Sequence, residues 1–158
     1  MSKRSWKPTL LWVLLAEAVG GLAALLTQEG TRLYGVTIRK PALSPPAAVF
    51  PIVWTALYAL MGVSAARIWR LPPSAERSTA LRLFLIQLGV NFFWSILFFN
   101  YQAFILAFFW LILLCALLVR MILAFWELDP TAGKLQLPYL LWVFFAGGLN
   151  YGVWLLNR

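Results

Sequence analysis

Trp54, Tyr58, Met61 and Ala65 recur at intervals of three and four, and so do Gln87, Asn91, Trp94 and Phe98. Tyr139, Trp142, Ala146 and Leu149 repeat the spacing, with Asn150 beside them. Each set falls on one face of a helix. Indole and phenol rings offer wide flat surfaces with one polar tip each, and amides supply hydrogen bonds. The three faces could therefore line a pocket for a flat, mostly apolar ligand. The same residues could instead be structural, since amides join membrane helices and Trp forms belts at membrane surfaces. Trp6, Trp69, Trp126 and Trp154 stand near segment ends and suit a belt, whereas Trp54, Trp94, Trp110 and Trp142 lie deeper.

Other chemistry has little material. The chain has no histidine and one cysteine, Cys115, so Cys/His metal sites and Ser-His-Asp or Cys-His nucleophiles are excluded, and no metal site is expected. Five carboxylates exist: Glu17, Glu29, Glu76, Glu127 and Asp129. Glu17 alone sits well inside an apolar segment, where a carboxylate reads as a proton- or cation-coupling group by default. Arg120 lies at a similar depth and could pair with it, or could extend to the interface.

The elements that carry these residues are membrane helices. Of 158 residues 63% are hydrophobic and 11% charged, too few charges to clothe a soluble domain. A bilayer core about 30 Å thick needs roughly 20 apolar residues in a helix. Five segments qualify, at about 8–27, 47–69, 79–99, 103–126 and 134–156. No charge occurs from 83 to 119; as one helix that run would be about 55 Å long, so it must fold back at Asn100, Tyr101 and Gln102. The expectation is an all-α membrane protein, residues 1–158 forming one compact bundle of five transmembrane helices.

Five crossings divide the 13 basic residues unequally. Lys3, Arg4, Lys7, Arg67, Arg70, Arg77, Arg82, Arg120 and Lys134 collect on one side, and Arg32, Arg39, Lys40 and Arg158 on the other. The richer side should be cytoplasmic, which puts the N-terminus inside. The net charge of +8 flanks apolar runs instead of forming a stripe, so the partner is a lipid bilayer and not nucleic acid. The 28–46 connection is the longest, and Pro41, Pro45 and Pro46 stiffen it. It is either a lid or a solvated connector. Ala16, Gly20 and Ala24, with Gly62 and Ala66, form small-residue rows that permit close helix approach within or between chains.

Five stretches, in order, are similar to one family: EGTRLY (29–34), KPALSPP (40–46), FPIVWTALYALMG (50–62), QLGVNFFW (87–94) and LPYLLWVFFAGGLNYGVW (137–154). The chain resembles the translocator proteins, also called tryptophan-rich sensory proteins or peripheral benzodiazepine receptors. The resemblance implies a five-helix bundle, often a homodimer, in the bacterial cytoplasmic membrane, binding tetrapyrroles such as protoporphyrin IX and haem. It implies a pocket built from Trp54, Tyr58, Asn91, Trp94, Trp142, Ala146 and Leu149, roofed by a lid containing Pro41, Leu43, Pro45 and Pro46. Porphyrin is then a ligand, and no cofactor is required. The alternative is a light- or oxygen-dependent porphyrin-degrading enzyme in which Trp54 and Trp142 donate electrons. A third class, a proton-coupled exporter, would use Glu17. The chain departs from the family in having Leu43 and Ala48 where tryptophans are usual. Leu155 also replaces the arginine of the sterol-recognition pattern, so sterol binding through that pattern is not expected.

Overall fold

The computed structural model describes residues 5–158, so Lys3 and Arg4, counted above, lie outside the described residues. α1 (Lys7–Leu26) opens with Pro8 in its first turn, where a missing N–H costs nothing. α2 (Gln28–Thr37) follows after a bend at Thr27. α3 (Val49–Trp69) returns across the molecule and ends before Pro72 and Pro73. α4 (Ala75–Ser95) starts at Ser74, whose hydroxyl accepts from the Arg77 N–H at 3.0 Å, a standard N-cap. α5 (Phe104–Leu128), the six-residue α6 (Pro130–Leu135) and α7 (Leu137–Asn157) complete the chain.

Among the described residues, five helical spans are long and apolar enough to cross a membrane: Lys7–Leu26, Val49–Trp69, Ala75–Asn100, Phe104–Leu128 and Pro130–Asn157. The protein is an integral membrane protein of all-α class. Side-chain burial follows one stripe per helix, and the remaining surface carries exposed leucine, isoleucine and phenylalanine, as a lipid-facing surface requires.

The long uncharged run folds back where its polar cluster stands. Directly after α4, Ile96–Asn100 widen into a π-helical turn closed by Tyr101 N–H to the Ile96 carbonyl at 3.2 Å. Gln102 then takes φ 49°, and the chain reverses into α5.

The segment 28–46, read above as an irregular connection, differs. Its first ten residues are helical. Arg32 Nε donates to Glu29 Oε2 at 2.9 Å one turn earlier, and Thr31 N–H reaches back to the Thr27 carbonyl, so the helical path resumes after a single bend. The prolines act only on the irregular stretch 38–48 that follows. α4 likewise begins four residues earlier than the periodicity suggested, and α6 was not anticipated.

Around the bundle α1 lies between α3 and α4, and α5 between α4 and α7, while α3 and α7 touch only sparingly. The two glycines of the small-residue rows are used inside the chain. Gly62 lies directly against the Val13 backbone of α1, and Gly20 against the Tyr58 ring of α3. At the end holding the N-terminus, Arg67 forms an ion pair with Asp129 (Nε–Oδ2 2.8 Å) and Ser64 donates to the Ala132 carbonyl at 2.7 Å, tying α3 to α6.

Candidate functional site

A cavity of about 370 Å³ opens between α1, α3, α4 and α7 beneath α2 and the 38–48 stretch. It exists where α3 and α7 hardly meet, and α5 contributes none of its wall. Its size falls within the range of small-molecule sites, roughly 300–1,000 Å³.

All seven residues inferred above come together there: Trp54 and Tyr58 from α3, Asn91 and Trp94 from α4, and Trp142, Ala146 and Leu149 from α7. Trp54 lies 5.6 Å from Tyr58 and 6.2 Å from Tyr139, centroid to centroid. Trp142 packs edge-on against Phe50 at 5.9 Å. The Trp142 indole N–H is buried with no acceptor among the described residues.

The buried amides serve both readings offered by the sequence. Asn91 donates to the Tyr58 hydroxyl at 3.0 Å, which fixes two cavity residues and joins α4 to α3. Asn150 accepts from Trp94 Nε1 at 3.1 Å and donates to the Phe104 carbonyl at 2.7 Å, linking α4, α7 and α5. Gln87 lies deeper, away from the cavity wall, and accepts from the Tyr139 hydroxyl at 2.9 Å. Gln87 is therefore an interhelical joint, while Asn91 is a joint with one face toward the cavity.

Of the four lid residues, Pro45 alone borders the cavity. Pro41 packs on α7, so close to Gly152 that a Cβ there would meet its ring at 2.7 Å. Leu43 is 82% exposed, and Pro46 is exposed as well; neither reaches the cavity. The roof is instead largely α2, through Thr31, Tyr34 and Gly35, with Lys40 and Ser44 beyond it. Tyr34 packs at a tilt on Phe98 at 5.3 Å and edge-on to Phe99 at 5.4 Å, and Lys40 Nζ lies 5.1 Å above its ring while donating to the Gly35 carbonyl at 2.9 Å. The far end of the roof is held by Asn157, which accepts from Arg39 N–H at 3.0 Å and donates to the Arg39 carbonyl at 2.9 Å.

Sequence spacing missed the contributions of α1 and α2. Gly20, Ala23 and Ala24 form a smooth wall that reads in the sequence only as a packing row. Tyr34 and Thr31 were discoverable, because they stand three apart in a segment whose Glu29–Arg32 spacing suits a helix. Phe98 and Phe99, neighbours in sequence, both line the cavity; the π-helical turn at Ile96–Asn100 admits both.

Glu17 is half-buried on α1 and does not line the cavity. It makes no pair with Arg120: the ion pairs among the described residues are Arg32–Glu29 and Arg67–Asp129. α1 packs on α3 and α4, whereas Arg120 is exposed on α5. No cluster of metal-binding side chains occurs among the described residues.

Comparison with known proteins adds a second line. The family profile described as TspO/MBR family matches residues 12–155. A tryptophan-rich protein TspO of Chlorobaculum tepidum is 35% identical over 147 residues, covering 90% of this chain and 91% of its own. The translocator protein of Bos taurus is 34% identical over 156 residues, covering 97% and 92%. A tryptophan-rich sensory protein of Cereibacter sphaeroides is 36% identical over 120 residues, covering 76% and 74%.

Proposed function

The chain belongs to the TspO/MBR family, and on that premise we propose that it is a membrane receptor whose cavity takes up tetrapyrroles such as protoporphyrin IX and haem, sensing, sequestering or moving them. The observation that carries this reading is the convergence of Trp54, Tyr58, Asn91, Trp94, Trp142, Ala146 and Leu149 on one mostly apolar cavity. Flat rings pack favourably on Trp and Tyr faces. The unpartnered Trp142 N–H offers a hydrogen bond to a ring nitrogen or carboxylate, and Lys40 at the roof offers charge to an acidic substituent. Bacterial relatives support a bacterial cytoplasmic membrane as its location, and the basic residues at the end holding the N-terminus support an inward N-terminus. A homodimer, which the family resemblance implies, would have to use faces other than those of Gly20 and Gly62, since α1–α3 packing occupies both.

The test is titration of the purified protein with protoporphyrin IX, read by tryptophan fluorescence, in darkness and then under illumination. Saturable quenching with porphyrin recovered intact supports the receptor. Light-driven loss of porphyrin that disappears in the Trp54→Phe, Trp142→Phe double variant, with binding retained, would replace it by the degrading enzyme. Absence of saturable binding removes the proposal.

A further inference from the structure

Arg82 and Arg120 stand inside the spans Ala75–Asn100 and Phe104–Leu128, and both are exposed. The other described arginines at that end of the bundle are engaged. Arg67 holds Asp129, Arg70 donates to the Ser5 carbonyl and Thr9 hydroxyl, and Arg77 lies 4.6 Å over the Trp69 ring. For the side chains of Arg82 and Arg120 the described residues provide no hydrogen bond, ion pair or aromatic ring. A guanidinium on a lipid-facing helix is costly without a counter-charge.

The two also flank the same seam, one on each helix. α4 and α5 are antiparallel neighbours, levelled by Trp110 Nε1 donating to the Val90 carbonyl at 2.7 Å and by Phe98 and Phe104 at 5.0 Å. Arg82 precedes Val90 by about two turns and Arg120 follows Trp110 by about three, so both lie roughly 12–15 Å toward the same end. At 100° per residue each is turned about 80° from the seam. Because the helices are antiparallel, both turns lead to the same outward side. Measured from the helix ends at Ala75 and Leu128, the two lie about 10–12 Å inward, where a long side chain reaches the headgroup level. Glu127 is on the same face of α5 but about 10 Å nearer its end, and it pairs with neither.

We propose that Arg82 and Arg120 form a two-point clamp on the α4–α5 surface for the phosphate of an anionic phospholipid from the surrounding bilayer. Guanidinium groups match phosphate oxygens in geometry as well as charge, and basic pockets between membrane helices are suited to such headgroups. The clamp is separate from the cavity, to which α5 contributes nothing.

Native mass spectrometry of the detergent-purified full chain, titrated with phosphatidylglycerol or phosphatidylcholine, tests this. Wild type should retain phosphatidylglycerol preferentially, and R82Q/R120Q should weaken that retention roughly tenfold or more. R158Q, at the opposite end, should leave it unchanged. Glycerol 3-phosphate, a headgroup without chains, should neither bind nor compete. Equal retention of the two lipids by wild type, or undiminished phosphatidylglycerol binding by the double variant, overturns the clamp. Tight binding of glycerol 3-phosphate overturns it in favour of a free-anion site. If R82Q/R120Q does not fold by circular dichroism, the wild-type lipid comparison and R82K/R120K decide: the lysine pair keeps the charge and should retain the preference.

Discussion

Replacing Tyr139 by phenylalanine removes one oxygen and strands another group. Tyr139 and Gln87 are both fully buried, and the hydroxyl is the partner of Gln87 Oε1. Gln87 Nε2 already has no partner among the described residues, so Tyr139→Phe leaves the whole amide unsatisfied. The expected cost is about 1–3 kcal/mol, measured by thermal unfolding in detergent. Asn91→Leu behaves differently, because Asn91 also borders the cavity. It should lose the Tyr58 contact and, with it, porphyrin affinity, which the fluorescence titration reads directly. At this scale part of the site was legible: the three helical stripes contain the seven residues that the resemblance names, but they also contain Met61, Ala65, Gln87 and Tyr139, which do not border the cavity. Gly20, Ala23 and Ala24 were not legible, because a small residue lining a cavity and one packing against a helix have the same signature.

Between elements, glycines let α1 approach α3 closely. A Cβ at Gly62 would fall on the Val13 backbone, which cannot move aside as a flexible side chain can. Gly62→Val should therefore separate α1 from α3, costing about 1–3 kcal/mol as overpacked cores do. Gly21, next to Gly20 but with nothing within 4 Å of its would-be Cβ, provides the contrast. Gly21→Ala should be neutral or stabilising by about 0.5–1 kcal/mol through helix propensity, both variants being compared by the same melting curves.

The link from α3 to α6 should depend on pH. Partial burial pushes the Asp129 carboxyl up, but the hydrogen bonds and charge of Arg67 and the N–H groups of Ala132 and Thr131 outweigh it and hold the group below its ordinary value. A depressed carboxylate contributes stability that is complete above its unfolded pKa and is lost as pH falls through the folded one. Melting temperature should therefore fall below about pH 4, and the fall should be shallower in Asp129→Asn. The element boundaries also mark where sequence reading stopped. Apolar length located the five spans, but α2 has few apolar residues, and its helix follows from Glu29–Arg32 and the single bend at Thr27, weaker signals than the prolines that follow.

Across the whole molecule charge is polarised. Lys7, Arg67, Arg70, Arg77, Arg82, Arg120 and Lys134 gather toward one end, and Arg32, Arg39, Lys40 and Arg158 toward the other. In a Cys115→Ala background, Ala42→Cys should react with an impermeant thiol reagent on intact bacterial cells stripped of outer barriers. Lys134→Cys should react only after the membrane is opened; the reverse pattern would invert the orientation. The bundle was readable at this scale because a membrane restricts the choices to helices and closed barrels. The arrangement of those helices was not, since nothing local in the residues of α3 and α7 announces that these two stand apart.

Arg39 and Asn157 exchange two hydrogen bonds across 118 positions of chain, and this separation fixes an order of assembly. The first four spans can insert and associate while the ribosome is still making α7, but they enclose only an open trough. The wall with Trp142, Ala146 and Leu149 and the anchor of the roof both arrive with the last helix. A nascent chain therefore holds no finished chamber until α7 has been made, and a truncation that removes the last turn of α7 should free the roof even where all five spans insert.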